Sequence, residues 1–231
     1  MPADAVLFLP GMMCDARLWQ PQAAALPYPA ETADTRRSDS IEHMAALALS
    51  NAPPRFAVVG LSMGGILAFE IWRQAAERVT HMALLDTNPH ADAPERQSIR
   101  MQQIETVLAG GLREMAIEEL KPLYLAESNR HDESLLQLLL DMALDLGPAV
   151  FEQQSVALRD RVDSVPMLAS IDCPTLVLCG AEDHLCPVEY HELMADRIPG
   201  ATLKVVDHCG HIASLEQPHA VTAALHQLLE H

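Results

Sequence analysis

The stretch Phe56-Ala57-Val58-Val59-Gly60-Leu61-Ser62-Met63-Gly64-Gly65 constrains this chain more than any other. An apolar run of strand character leads into Gly-x-Ser-x-Gly, and a helical segment begins at once. A serine in that setting sits at a tight turn where strand and helix nearly collide. Gly60 and Gly64 flank it because a Cβ at either position would clash with neighbouring backbone. The hydroxyl of Ser62 is then presented at the C-terminal end of a strand, beside backbone N–H groups at the positive end of the next helix. With 10 glycines in 231 residues, about 0.02 matches to this pattern are expected by chance. The competing reading is a strand–helix turn that merely holds a serine.

The chain is long enough for one sizeable core, and α/β folds of this size form single domains. Hydrophobic residues make up 49% and charged residues 20%, a globular balance. The net charge of −17 makes nucleic acid and acidic membrane surfaces poor partners, because a polyanion would meet a field of its own sign. No basic patch is visible to receive a highly charged carrier protein. The five cysteines are scattered, without disulfide-framework or metal-ligand spacing. That suits a reducing compartment, and a cytoplasmic location is expected. The apolar run 5–9 has no basic region before it and ends at Pro10-Gly11, so it does not read as a signal peptide. No uncharged run approaches the ~20 residues of a membrane span. The last residues, Leu229-Glu230-His231, also read as the start of an expression tag.

In chain order, strands are expected at 5–9, 31–35, 56–61, 82–85, 174–180 and 202–206. Helices are expected at 15–26, 40–50, 63–76, 187–198 and 216–230, the second opened by Asp39 with Glu42 three residues on. Strands alternating with helices mean a parallel sheet covered on both faces. The alternation stops after Asp86. From about 90 to 165 the chain reads as helical and polar-faced, with helices at 93–109, 112–126, 133–146 and 149–161 and a kink at Pro122. This block reads as a lid inserted over the strand ends, where open parallel sheets bind ligands. The division is therefore a core of 1–88 and 166–231 and a lid of 89–165. Leu135, Leu138, Leu139 and Met142 lie at helical spacing and read as core rather than substrate wall.

A serine hydroxyl is a weak nucleophile. It needs a base, and the base needs an orienting carboxylate. Both must follow sheet strands to reach Ser62. Histidine is too abundant, at 11 residues, for identity to decide. Position points to His211, just after the last strand, with His208 as the rival. Asp183 follows the preceding strand. Asp86, which also ends a strand, is the rival acid, and Glu182 a weaker one. The order Ser62, Asp183, His211 is the Ser…Asp…His order of one hydrolase fold. His184, Cys186, His208, Cys209 and His211 match no zinc spacing, so no metal and no cofactor is assigned. Cys14, Cys186 and Cys209 read as small apolar fillers. Arg159 and Arg161 read as solvated surface arginines rather than substrate contacts.

Together these motifs resemble the α/β-hydrolase family. The resemblance covers 5–88 and 171–228 and rests on Pro10-Gly11-Met12, the turn 60–64, and the Gly-x-x-Asp and Gly-His pair near the C-terminus. It implies a mostly parallel sheet of about six strands flanked by helices, with an inserted helical lid. The two strands that precede the first in most relatives are expected to be missing from this sheet, since only four residues stand before Ala5 in the sequence. Pro10 stands where many relatives have histidine. The segment 9–19 also resembles a bacterial esterase-like subgroup.

The resemblance further implies roles. Ser62 is the nucleophile, His211 the base and then the acid, and Asp183 its orienter. The backbone N–H groups of Met12 and Met63 form the oxyanion hole, each such donor worth about 2.7–4 kcal/mol in the transition state. The expected activity is hydrolysis of a carboxylic ester of a small or medium uncharged substrate through an acyl-enzyme. Enol-lactonase, carbon–carbon bond hydrolase, thioesterase and perhydrolase activities are alternatives on the same fold. A haloalkane dehalogenase is disfavoured because the nucleophile position holds serine, not aspartate. From another class, a non-catalytic ligand-binding protein is the alternative. The expected partner is a small-molecule ester or lactone.

Overall fold

The computed structural model describes residues 3–120 and 124–230. Pro122, where a kink is expected, and His231 lie outside those residues.

Six strands form one wholly parallel sheet: β1 (Val6–Leu9), β2 (Ala30–Thr32), β3 (Phe56–Leu61), β4 (Val79–Leu85), β5 (Thr175–Gly180) and β6 (Thr202–Val206). Their spatial order is β2-β1-β3-β4-β5-β6. β1, β3 and β5 are buried along their whole length, which is why they read as unbroken apolar runs rather than alternations. β4 begins at Val79, earlier than its apolar run suggests, because it pairs with β3 from Phe56 onwards.

The described helices before the break in alternation are α1 (Gln20–Ala25), α2 (Ile41–Asn51) and α3 (Met63–Ala75). Between β4 and β5 lie α4 (Pro94–Thr106), α5 (Leu112–Met115) and α6 (Glu133–Arg159). The chain closes with α7 (Val188–Arg197), α8 (Ala213–Glu216) and α9 (Pro218–Leu229). On one face of the sheet α1 and α9 pack together, with Trp19 stacked on Phe8 at 4.9 Å between ring centres. On the other face α2 packs on α3, and Met194 of α7 joins their core.

Several boundaries differ from expectation for identifiable reasons. Ser40, not Asp39, caps α2: its backbone is extended and its hydroxyl accepts the His43 N–H at 3.3 Å. The final helix comes in two pieces, α8 beginning at Ala213, before the expected start, and α9 beginning anew at Pro218, which has no N–H to continue the ladder from α8. The expected helix at 112–126 does not form as one rod. α5 passes into a π-helical turn, Ala116–Leu120. α4 likewise ends in a π-helical turn, Val107–Gly111, where Gly110 has φ of 104°. The two helices expected at 133–146 and 149–161 do form, as two arms of α6 that meet at Gly147-Pro148, where Gly147 leaves helical geometry with φ of 80° and ψ of 174°. By length and composition α6 is long and apolar enough to cross a membrane. Here it buries Leu139, Met142 and Phe151 inside the protein, and Leu135 and Leu138 pack against the same core as Leu139 and Met142.

The topology places the functional loops. β1 pairs with β2 on one side and β3 on the other, so the chain leaves β1 in one direction and returns on the opposite flank. The loops after β1 and β3 therefore diverge, and a cleft opens between them at the C-terminal edge of the sheet. Because every strand is parallel, the ends of β4, β5 and β6 present their loops at the same edge. The helices α4–α6 build a core of their own from residues such as Val107, Met115, Leu140 and Phe151. Met13, from the loop after β1, is packed into it.

Candidate active site

Ser62 stands between β3 and α3 with φ of 55° and ψ of −116°. An L-residue with such a φ is strained, at about 1–3 kcal/mol, and persists only where its surroundings over-determine it. Here they do. Its N–H donates to Leu85 O at 2.9 Å, and its carbonyl accepts from Thr87 Oγ1 at 2.7 Å and from the Gly65 N–H at 2.9 Å. A Cβ on Gly60 would overlap the Gly64 carbonyl, and a Cβ on Gly64 would overlap the Leu9 carbonyl. The Ser62 side chain makes no cap bond to α3, which leaves its hydroxyl free to point elsewhere.

It points to His211. The imidazole Nε2 lies 2.9 Å from Ser62 Oγ, and Nδ1 lies 2.8 Å from Asp183 Oδ2. A carboxylate can only accept, so Nδ1 carries the proton and Nε2 is the acceptor for the serine hydroxyl. The His211 backbone N–H is tied to Tyr124 O at 2.7 Å. Asp183 Oδ1 accepts the N–H groups of Leu185 and Cys186, each at 2.9 Å. Burial raises the Asp183 carboxyl. The attraction and hydrogen bond of His211, with those two amides, outweigh it and hold the carboxyl below its ordinary range.

The rival groups lie elsewhere. Asp86 is fully buried, with φ of 46°. Its Oδ1 accepts the Gly180 N–H at 3.0 Å and its Oδ2 the Ala213 N–H at 3.1 Å. It is a strut joining the ends of β4 and β5 to the start of α8. Burial, and then the charge of Asp183, push its carboxyl well above the ordinary range. Glu182 accepts the Glu127 N–H at 2.8 Å. His208 is exposed, and its carbonyl accepts from Gln217.

The N–H groups of Met12 and Met63 have no hydrogen-bond acceptor among the described residues. The turn holding Met12 is braced from a distance. Met13, with φ of 54°, donates its N–H to Gln154 Oε1 at 2.8 Å, and Gln154 Nε2 donates to Thr35 Oγ1 at 3.1 Å. Gln154 is completely buried on α6. Another brace sits behind Ser62. His191 Nε2 accepts the Thr87 N–H at 2.9 Å, so its proton is on Nδ1, donated to Pro187 O at 3.2 Å. Burial pushes His191 down to about 4, and it is neutral at pH 7. Nothing local in the sequence marks either residue. Gln154 lies 141 positions from Met13, and His191 lies 104 from Thr87.

Ser62, His211, Met12 and Met63 line a cavity of about 830 Å³ whose far wall comes from α4 and the end of α6. Arg161 belongs to that wall. It is buried, contrary to its reading as a solvated arginine, and its guanidinium meets Asp92 at 2.6 Å. Arg159 is turned outward and pairs with Asp160. Cys186 also lines the cavity, and its donor atom lies within 4.8 Å of those of Asp183 and His211. Asp183 and His211 are already committed to each other, and burial, followed by the Asp183 charge, raises the Cys186 thiol, so its thiolate is disfavoured as a ligand. Cys14 and Cys209 are buried, and burial pushes the Cys14 thiol up to about 12.

Comparison with known proteins adds a family to this geometry. A model described as "Alpha/beta hydrolase family" matches residues 6–225. Among curated proteins, 3-oxoadipate enol-lactonase 1 of Acinetobacter baylyi is 26% identical over 94% of this chain and 85% of its own length. The pimeloyl-[acyl-carrier protein] methyl ester esterase of Nitrosomonas europaea is 26% identical over 78% of this chain and 73% of its own. Among solved structures, a thermophilic esterase from Thermogutta terrifontis, with malate bound, superposes with a TM-score of 0.89 at 29% identity, covering 98% of this chain and 89% of that one. The enol-lactonase of Burkholderia xenovorans shares the fold with a TM-score of 0.88 at 23% identity, over 100% of this chain and 93% of that one.

Proposed function

This chain belongs to the alpha/beta hydrolase family, and from that footing we propose that it is a serine hydrolase cleaving a carboxylic ester or lactone through an acyl-enzyme. One observation carries the reading: a single imidazole touches both a strained serine hydroxyl and a buried carboxylate at the mouth of a cavity. Ser62 Oγ attacks the carbonyl carbon as His211 Nε2 takes its proton, and Asp183 stabilises the imidazolium. The carbonyl oxygen, now negative, accepts the N–H groups of Met12 and Met63. Collapse breaks the acyl–oxygen bond, and His211 Nε2 returns the proton to the departing alkoxide. Water then attacks the acyl-enzyme with His211 as base, releasing the acid and restoring Ser62.

The relatives named above include both an esterase and a lactonase, and the same steps serve either bond. The segment 89–165 acts as the lid that shapes the substrate cavity. Five buried free cysteines support a cytoplasmic location. The test is labelling with a fluorophosphonate probe alongside turnover of a panel of methyl esters and lactones. Wild type is expected to label stoichiometrically and to turn over at least one member, and Ser62→Ala to do neither. Turnover that survives in Ser62→Ala rules out the mechanism. A folded wild-type protein that neither labels nor turns over supports the ligand-binding reading.

A further inference from the structure

The cavity wall opposite Ser62 carries charge that the chain as a whole does not. Three arginines, Arg96, Arg100 and Arg161, face two acids, Asp92 and Glu118, along the lining, a balance of one positive charge in a protein of net −17. Asp92 is buried between two of them. Its Oδ2 accepts Arg100 Nε and its Oδ1 accepts Arg161 Nη1, each at 2.6 Å. One carboxylate cannot neutralise two guanidinium groups, and a buried cation without a counter-charge is costly.

The two partners of Asp92 are not alike. Arg161 is largely engaged: Nε donates to His90 O, and Nη1 also donates to Leu158 O, both at 2.8 Å, so that only Nη2 is without an acceptor among the described residues. Arg100 is not. Its side chain is only 10% exposed, yet neither Nη atom has an oxygen acceptor among the described residues, and Nη1 touches only Met12 Sδ at 4.0 Å. Asp92 thus fixes the guanidinium fork by its Nε edge and leaves the other donors facing the cavity. Arg96, one helical turn before Arg100, is exposed, and its side chain has no hydrogen bond or ion pair among the described residues.

We propose that Arg100, held by Asp92 and assisted by Arg96, binds a carboxylate carried by the substrate, so that the enzyme acts on half-esters or lactones bearing a second, free acid group. This rests on the hydrolase reading above, and it replaces the expectation of an uncharged substrate. A carboxylate matches the fork geometry of arginine. One surplus positive charge matches a monoanion better than a phosphate dianion. The contact with Met12 sets the bound acid beside the loop whose N–H would receive the oxyanion, so both ends of a short substrate are held at once.

The experiment compares monomethyl esters of succinic, glutaric and adipic acids with the methyl esters of the matching ω-amides, which keep the shape and lose the charge. At the best chain length the acid is expected to exceed the amide in kcat/KM by about 10-fold or more, as for a hydrogen bond to a charged group. Arg100→Gln is expected to bring that ratio below about 2, chiefly through the KM of the acid. Arg96→Gln, an exposed and unpaired position, lowers the same ratio a few-fold and serves if the Arg100 variant does not fold. A wild-type ratio near one at every length, with Ser62-dependent turnover intact, overturns the acid site and leaves the hydrolase standing. Calorimetry of monomethyl glutarate and methyl glutaramate with Ser62→Ala protein repeats the comparison without chemistry. Equal binding there, or none, overturns the proposal even if no ester is turned over.

Discussion

The two walls of the cavity are built on different principles. On the sheet side, Ser62, Asp183 and His211 each hang from the loop after a parallel strand, and the sheet brings those loops to one edge. On the insertion side, the groups hold one another: Asp92 clasps Arg100 and Arg161, and Gln154 of α6 reaches back to the loop after β1. The first wall inherits its geometry from the fold. The second is a set of side-chain pairings that can change without moving a strand. On the proposed mechanism and acid site, chemistry and selectivity are lodged in separable parts of the molecule.

That separation is tested most severely at Ser62. Ser62→Ala is expected to lower kcat for any ester by roughly 10⁵–10⁶-fold while leaving binding on the arginine wall intact. Burst kinetics and ligand calorimetry on the same preparation report the two effects. A large loss of binding with the loss of kcat would mean that the walls are not independent.

The two buried carboxylates at the sheet edge sharpen the contrast from within one wall. Asp183→Asn removes the acceptor that fixes the His211 tautomer, and kcat is expected to fall about 10⁴-fold with little change in KM. Asp86→Asn sets an amide where two N–H groups need acceptors. It is expected to cost about 1–3 kcal/mol of stability, read by urea unfolding, with a far smaller loss of kcat. If Asp86→Asn were the more damaging to kcat, the assignment of Asp183 as orienter would be wrong.

The same contrast explains what was legible in the sequence. Gly60, Ser62 and Gly64 announce themselves because the strain at the turn is local, and a five-residue pattern contains its cause. Asp183 and His211 were findable because strand order in a parallel sheet is nearly strand order in the chain. Asp86 and Asp183 both end strands, and only the hydrogen bond to His211 separates them. Arg161 misled because its partner Asp92 lies 69 positions away, across the whole insertion. Gln154 carries no local signal that sets it apart from any polar helix residue, because its partners Met13 and Thr35 lie more than a hundred positions away. The π-helical turns at Val107–Gly111 and Ala116–Leu120 had no distinct signal either, since their apolar spacing passes for ordinary helix.

Gln154 is where the two walls meet, so it measures how far they are coupled. Gln154→Leu keeps the side chain's bulk but strands the Met13 N–H and frees the turn that carries Met12. A displaced oxyanion donor is expected to lower kcat by about 10²-fold with KM nearly unchanged. The preference for acid over amide substrates, set by Arg100, is expected to survive. Steady-state kinetics on the matched ester pairs reads both quantities at once. Loss of the preference would show that the insertion positions substrate and oxyanion loop as one unit.

The smallest effect concerns stability and belongs to the sheet wall alone. His191 supports Thr87, which in turn holds the Ser62 carbonyl, and it does so as a neutral ring. Its value near 4 in the folded protein lies below the ordinary 6.5. The unfolded chain therefore binds the proton first, and stability falls as pH drops from about 6.5 towards 4, with no further loss from this group below that. At pH 5 the loss is on the order of 2 kcal/mol, about 30-fold in the unfolding equilibrium. His191→Gln keeps an acceptor for the Thr87 N–H and cannot take up a proton. Urea unfolding at pH 7 and pH 5 should show wild type losing about that much more than the variant between the two values. Equal losses would mean that His191 does not titrate across this range, and that acid reaches the wall holding Ser62 by another route.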